Sequence, residues 1–370
     1  MKANTENLGP LHLFAWIVLF ELGSAVVIPI GLDAKQGAWV VILLGCGVGV
    51  LLMGAVYGSL YRMYPDLPLS EYAIRIAGKG PGWAIGFAYL LYFLYIAGRN
   101  TRDFGDLLAA ASYDATPIFA INVCIVVAVG YVLRLGIEVF GRTAFMFFVF
   151  TGGIFMLILV LVLFSDMADA HRMLPVLPDG WQPVWKALYP TNITFPFGEL
   201  IVMAMFFPHL DKQWKPIRLG IWAMLLSAVL LCIAVFVNIS VLGIEIAGRT
   251  TFPLFTSLSR LRLAEFVQRM DAIVLLLLII TSFFKIGTFM LASTLIARDL
   301  FRTDNYKTLV YPVGLVVIFS SILMAGSLTE HLQEGLKVVP YYLHLPFQFA
   351  IPIALLLIGW IRRRVGSASS

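Results

Sequence analysis

Charged residues are scarce in this 370-residue chain: Asp, Glu, Lys and Arg together make up 13% of it. A water-soluble fold of that length needs far more polar surface to cover its core, so a soluble globular class is excluded. Cysteine is almost missing. Cys46, Cys124 and Cys232 all fall inside apolar runs, and their spacing matches neither a metal site nor a redox motif. The five histidines, His12, His171, His209, His331 and His344, are scattered without ligand spacing, so no metal and no cofactor is expected. There is also no Gly-rich phosphate loop and no nucleophile beside a base, which leaves enzyme chemistry without support. The 26 basic residues outnumber the 21 acidic ones, yet no basic segment is interleaved with aromatics. Nucleic acid is therefore not an expected partner.

What the chain has in quantity is apolar length. Hydrophobic residues make up 60% of it, mean hydropathy is +0.91, and many runs exceed the roughly 18 residues that span a bilayer. The class is all-α integral membrane. Ten transmembrane spans are read near 10–32, 38–61, 83–112, 117–133, 143–164, 188–208, 217–243, 270–297, 308–326 and 343–361. The first run continues through Glu21 and reads as a retained helix rather than a cleaved signal peptide. No linker separates domains, so residues 1–370 form one transmembrane domain. With both termini inside, the inner segments carry 15 Lys and Arg against 8 outside, so cytoplasmic termini are expected. The loop 244–269 holds half of the outer ones, and Leu254–Phe266 has apolar residues at helical spacing. It is expected to lie as an amphipathic helix on the outer surface. Gly45, Gly49, Gly54 and Gly58 form two small-xxx-small pairs that allow close helix approach.

Ionisable groups at mid-depth are costly and face a cavity or a partner. Three fall there: Glu21 in span one, Glu199 in span six and Lys285 in span eight. Glu21 precedes Leu22-Gly23-Ser24-Ala25, with Pro29 following. Glu199 follows Thr194-Phe195-Pro196-Phe197-Gly198, with Pro208 later. Gly and Pro in mid-span free backbone groups that must find partners. Paired interruptions at corresponding positions of two halves point to a transporter-type binding site. Half-helix N-termini attract a carboxylate and free carbonyls an ammonium; an α-amino acid carries both. The plainer reading is a kinked packed helix with Glu199 paired to Lys285, and that pair is compatible with a ligand site. Lys285 either stands where a related transporter holds a cation or only neutralises a glutamate; both readings stay open.

Span three carries Arg99, Arg102, Asp103 and Asp106 on one helical face. Pairs Arg99–Asp103 and Arg102–Asp106 are expected at i,i+4. The stripe is either a structural ladder or an outer vestibule that attracts a zwitterion. Tyr92 and Tyr95 lie deeper on the same span.

The strings PFGELIVMAMFFPHL and FELGSAVVIPIG resemble the B subunits of spore nutrient-germinant receptors. So do YPDLPLSEYAIRIAGKGPG and RMDAIVLLLLIITSFFKIGTF, and the similarity covers nearly the whole chain. Those subunits belong to the amino acid–polyamine–organocation superfamily. The resemblance implies a LeuT-like five-plus-five inverted repeat, about 10–164 and 188–361, with broken helices one and six. It implies a sensor in the inner membrane of a bacterial endospore, working with a larger A subunit and a lipoprotein C subunit. By the same analogy Gly23, Ser24 and Ala25 present backbone to a ligand carboxylate. Phe195, Pro196, Phe197 and Gly198 give carbonyls and an aromatic gate, while Tyr95, Phe284, Lys285 and Thr288 shape side-chain selectivity. A small neutral amino acid is the expected nutrient. The alternative is a proton- or cation-coupled amino acid permease using Glu21 or Glu199. The ELGSA string departs from the superfamily's common Gly-x-Gly, which weakens the case for a transport cycle.

Overall fold

A computed structural model describes residues 8–112, 115–165, 167–211, 213–260 and 271–368. The first helix, α1 (Pro10–Leu22), starts on a proline, whose missing N–H costs nothing in a first turn. It stops at Gly23, whose φ of 34° is one that side-chain-bearing residues rarely adopt. After a turn the chain enters α2 (Leu32–Met63). The amphipathic α3 (Leu69–Ala77) lies in the 62–82 connection between the expected spans two and three. It is tied down by Ser70 Oγ donating to Asp299 Oδ2 at 2.6 Å. Then follow α4 (Lys79–Ser112), α5 (Ile118–Leu135) and α6 (Ile137–Leu163).

The second half opens with the short α7 (Gln182–Ala187), continued by a π turn (Leu188–Asn192) and a 3-10 segment (Phe197–Met205). Next come α8 (Pro216–Leu242), α9 (Ile244–Arg249) and α10 (Pro253–Arg260). The helix α10 buries Leu254 and Leu258 on one face, as the amphipathic expectation for 254–266 requires; the stretch beyond Arg260 lies outside the described residues. The chain finishes with α11 (Asp271–Phe301), α12 (Val310–Leu323), α13 (Leu328–Gln333) and α14 (Pro340–Arg364).

Among the described residues, seven helices are long and apolar enough to cross a membrane. An eighth crossing is possible if α12 and the 328–338 segment, bent by 105°, count as one. The expected spans one and six are not continuous helices. A count of ten is reached only by adding both broken segments and the bent pair to the seven, and continuous helix length does not establish it.

The helix α11 is the most deeply buried of these spans. It packs along α4 and against α1, while α1 also packs on α6 and α8. Both interrupted segments are thus held in the middle of the bundle, with lipid-length helices around them. A single apolar cluster runs from Leu8 to Leu356 through this interior. Leu8 N donates to His209 O at 3.0 Å, tying the start of α1 to the end of the second interrupted segment.

Candidate functional site

Two chain interruptions meet beside α11. At the first, the Gly23 carbonyl accepts from Thr281 Oγ1 at 2.9 Å. A Cβ on Gly23 would overlap the Lys285 side chain, so only glycine lets α1 end against that stem. Val27 N and Ile28 N both donate to Ser24 O, at 3.1 and 3.2 Å. The peptide groups here are largely satisfied by the protein, as an intramembrane break requires.

The second interruption lies at Phe195–Pro196. Proline has no N–H to continue the ladder, and local side chains bond the stranded carbonyls. Asn192 Nδ2 donates to Ala187 O at 2.6 Å, and Thr194 Oγ1 lies 3.0 Å from both Pro190 O and Thr191 O. Two α2 glycines let the backbones close in: a Cβ on Gly45 would sit 2.5 Å from Asn192 O, and one on Gly49 2.7 Å from Phe197 Cβ. The first small-xxx-small pair therefore serves this junction. Gly54, in the second pair, has open space around it.

Lys285 bridges the two interruptions. Its Nζ lies 2.6 Å from Glu199 Oε2, with the two side chains 0% and 2% exposed. The ammonium also sits 4.3 Å from the Phe195 ring centroid and 5.3 Å from that of Phe20. Glu21 is fully buried, and neither of its carboxylate oxygens has a hydrogen-bond partner among the described residues. The centre thus holds two carboxyl groups and one ammonium.

Beside this cluster is a chamber enclosing about 50 Å³ that water can occupy. At about 10–15 Å³ per water, that is room for about four waters. Ser24, Phe195 and Glu199 line it from the interruptions, Arg99, Asn100 and Asp103 from α4, and His344 from α14. Ser24 Oγ has no hydrogen-bond partner among the described residues. Leu332, Gly335 and Leu336 of the 328–338 segment form its roof. Outside lies a larger antechamber of about 400 Å³ bearing Asp33, Lys186, Lys337, Tyr189 and Tyr341. Ile28, Thr191, Phe195 and Leu336 line both spaces. They form the partition, fastened by Thr191 Oγ1 donating to Leu336 O at 3.0 Å.

Of the residues singled out in the sequence, Ser24, Phe195, Glu199, Arg99 and Asp103 reach the chamber. Others do not line it. Ala25 is packed in the core. Phe197 turns to Gly49 on α2. Pro196 starts the turn behind it, and Gly198 faces Gln348, where a Cβ would overlap the amide oxygen. Phe284 packs on Phe140 and Phe147, ring centroids 5.2 and 6.0 Å away. Thr288 Oγ1 accepts from Trp16 Nε1 at 2.6 Å and fastens α11 to α1. Tyr95 donates to Glu334 Oε1 at 3.0 Å above the chamber.

The charged stripe on α4 divides into two. Arg102 pairs with Asp106 at 2.8 Å as expected, and its Nη1 reaches Ala325 O at 3.2 Å, bonding the end of α12. The expected Arg99–Asp103 pair gives way to longer-range partners. Arg99 Nη2 donates to His331 O at 2.6 Å, and Asp103 Oδ1 meets His331 Nε2 at 2.7 Å. An i,i+4 rule finds local pairs; it does not see a third element inserted between them.

Sequence reasoning passed over that third element. The expected spans 308–326 and 343–361 leave 327–342 as a connection. Yet Leu328, Leu332 and Leu336 recur at helical spacing after Ser327-x-x-Glu330, a helix-start signature. Glu330 N donates to Ser327 Oγ at 3.2 Å and Glu330 Oε2 accepts from Gly326 N at 2.8 Å. His344 and Gln348 were missed too. The π-helical stretch Pro340–Ala350 turns both inward, where Tyr92 Oη meets His344 Nδ1 at 2.8 Å and Gln348 Nε2 at 3.0 Å. Pro340 and Pro346 were the available signal.

Comparisons with known proteins agree with this architecture. Residues 7–328 match the Spore_permease family model, described as spore germination protein. The chain is 38% identical to spore germination protein KB of Bacillus subtilis (strain 168) over 95% of both chains. It is 24% identical to spore germination protein A2 of the same organism over 70% of each. Among solved structures, the crystal structure of MhsT in complex with L-phenylalanine matches with a TM-score of 0.62 at 12% identity. That match covers 94% of this chain and 97% of MhsT. At such low identity it establishes the shared LeuT-like fold alone.

Proposed function

Because the chain belongs to the spore germination protein family, we propose that it is the nutrient-sensing subunit of a germinant receptor, binding a small molecule at mid-membrane. The observation that carries this reading is the polar chamber where the two interruptions meet, with Ser24, Arg99, Asp103 and Glu199 converging on one small volume. Convergent polar groups in an otherwise apolar interior are what a small-molecule site needs. A neutral amino acid suits it: the lining offers both a guanidinium and carboxylates for a zwitterion, within about 50 Å³. The MhsT relative in fold holds an amino acid, which supports that class of ligand.

In this reading the protein is one transmembrane domain in the inner membrane of the spore, with both termini on the core side. It signals to a larger A subunit and a lipoprotein C subunit. Binding shifts a conformational equilibrium, and only a difference in affinity between two states can drive that shift. A swing from 1:99 to 99:1 requires about 5.5 kcal/mol of preference.

The test is ligand binding by the purified protein against a panel of amino acids, by calorimetry. Saturable binding of at least one supports the reading; none across the panel overturns it. A permease remains the second reading, favoured by Glu21, a buried carboxyl group whose oxygens have no hydrogen-bond partner among the described residues. Uptake of labelled amino acid into proteoliposomes containing this chain alone would establish it.

A further inference from the structure

The 328–338 segment sits over the chamber as a lid, and Arg99 is one of the side chains that hold it down, beside Thr191 at Leu336 and Asp103 at His331. Arg99 Nη2 donates to His331 O at 2.6 Å, and Nη1 lies 3.3 Å from Tyr95 Oη and 3.6 Å from Glu334 Oε2. Tyr95 donates to the other oxygen of the same Glu334 at 3.0 Å. The lid backbone closes so tightly that a Cβ on Gly335 would overlap the Arg99 guanidinium. Arg99 is only 7% exposed.

The same guanidinium lines the chamber below. Among the described lining residues it is the one carrying a fixed positive charge; the acids there each already have one partner, Asp103 through Oδ1 to His331 and Glu199 through Oε2 to Lys285. A guanidinium has five N–H donors in a planar fork suited to a carboxylate. Arg99 spends two of them on hydrogen bonds, a close one to His331 O and a longer one to Tyr95 Oη. Its contact with Glu334 is long, and Glu334 is one-third exposed, so that acid is the weakest-held partner.

We propose that Glu334 stands in for the ligand's carboxylate at Arg99, and that binding exchanges one acid for the other and unhooks the lid. The proposal rests on the nutrient-site reading and adds the group that receives the acid. It moves the carboxylate from the helix-one backbone to a side chain of α4. It also gives binding an output. Once Glu334 is released, the outer lid loses one of its anchors while His331–Asp103 remains as a hinge point. A site that loses a lid contact for each ligand gained has the differential interaction that a two-state switch requires.

The experiment uses the purified full chain with glycine, L-alanine, L-serine and their carboxamides. Calorimetry measures affinity, and hydrogen–deuterium exchange follows residues 328–338. In the wild type, an acid should bind at least about tenfold more tightly than its amide, the size expected for one charge-assisted pair. Arg99→Gln should bring acid and amide within about twofold, and Arg99→Lys should restore part of the preference. Glu334→Gln removes the competitor. It should tighten acid binding several-fold, leave amide binding unchanged and speed exchange in the lid without ligand. Acids and amides bound equally by the wild type would overturn the proposal while leaving the nutrient reading intact. Discrimination that survives Arg99→Gln would also overturn it, as would a Glu334→Gln variant that binds acids more weakly. No binding of any acid would overturn both.

Discussion

Replacing Lys285 by Met removes the only ammonium described at the centre of the bundle while keeping nearly the same stem beside Gly23. At the observed 2.6 Å, Lys285 and Glu199 attract by about 6 kcal/mol at an effective dielectric constant of about 20. Most of that offsets desolvation, but breaking a buried pair from one side still costs about 3–5 kcal/mol, because the other charge is left alone. Glu199 is 2% exposed and Glu21 fully buried, so neither carboxylate can turn to bulk water. At about 2–4 °C per kcal/mol for chains of 150–250 residues, and less for a longer one, the midpoint in detergent should fall by about 5–10 °C. Thermal unfolding followed by size-exclusion chromatography measures this. Lys285→Met with Glu199→Gln should recover most of the loss, since a neutral pair of similar shape is tolerated. Adding Glu21→Gln should recover the remainder, because Glu21 would otherwise be an isolated buried acid. A Lys285→Met variant as stable as wild type would refute the reasoning. So would a double variant losing the sum of the two single losses, since uncoupled groups add and a buried pair does not.

Arg102→Met should destabilise by about 3–5 kcal/mol through the stranded Asp106, and Arg102→Met with Asp106→Asn should recover most of it. Neither should change ligand affinity in the calorimetric assay, which separates this pair from Arg99. Gly49→Val brings side-chain carbon against Phe197 Cβ and Met224 Sδ, which a Cβ would already approach to 2.7 and 3.2 Å. Overpacking of that kind costs about 1–3 kcal/mol, visible as a lower yield of monodisperse protein. For topology, Thr329→Cys on the lid should react with a membrane-impermeant maleimide from outside, and Asp304→Cys after α11 should react only once the membrane is opened. The reverse pattern would invert the proposed orientation.

The chain's apolar length and sparse charge were enough to establish a helical membrane protein, because so few polar residues cannot cover so large an apolar core in water. Mid-span Pro and Gly marked both interruptions. Charge at mid-depth picked out Glu21, Glu199 and Lys285, since each is costly unless partnered; the sequence offered two glutamates to one lysine, and the structure pairs Lys285 with Glu199. Local rules also found Arg102–Asp106, whose spacing on one helix brings them together.

Contacts between elements far apart in sequence were a different matter. Arg99 and Asp103 have the same i,i+4 spacing as Arg102 and Asp106, yet a lid more than 220 residues later takes both of them. The direction of each side chain at the second interruption was likewise undetermined. Phe195 reaches the chamber, while Phe197, two residues on, packs against Gly49, because the turn at Pro196 resets the helical phase. His344 and Gln348 face inward because the π-helical path of α14 rotates them there. Sequence periodicity assumes an unbroken helix with one neighbour per face; it decided which residues enter the membrane. Which of them meet was decided by where the helices break and what packs into the gaps.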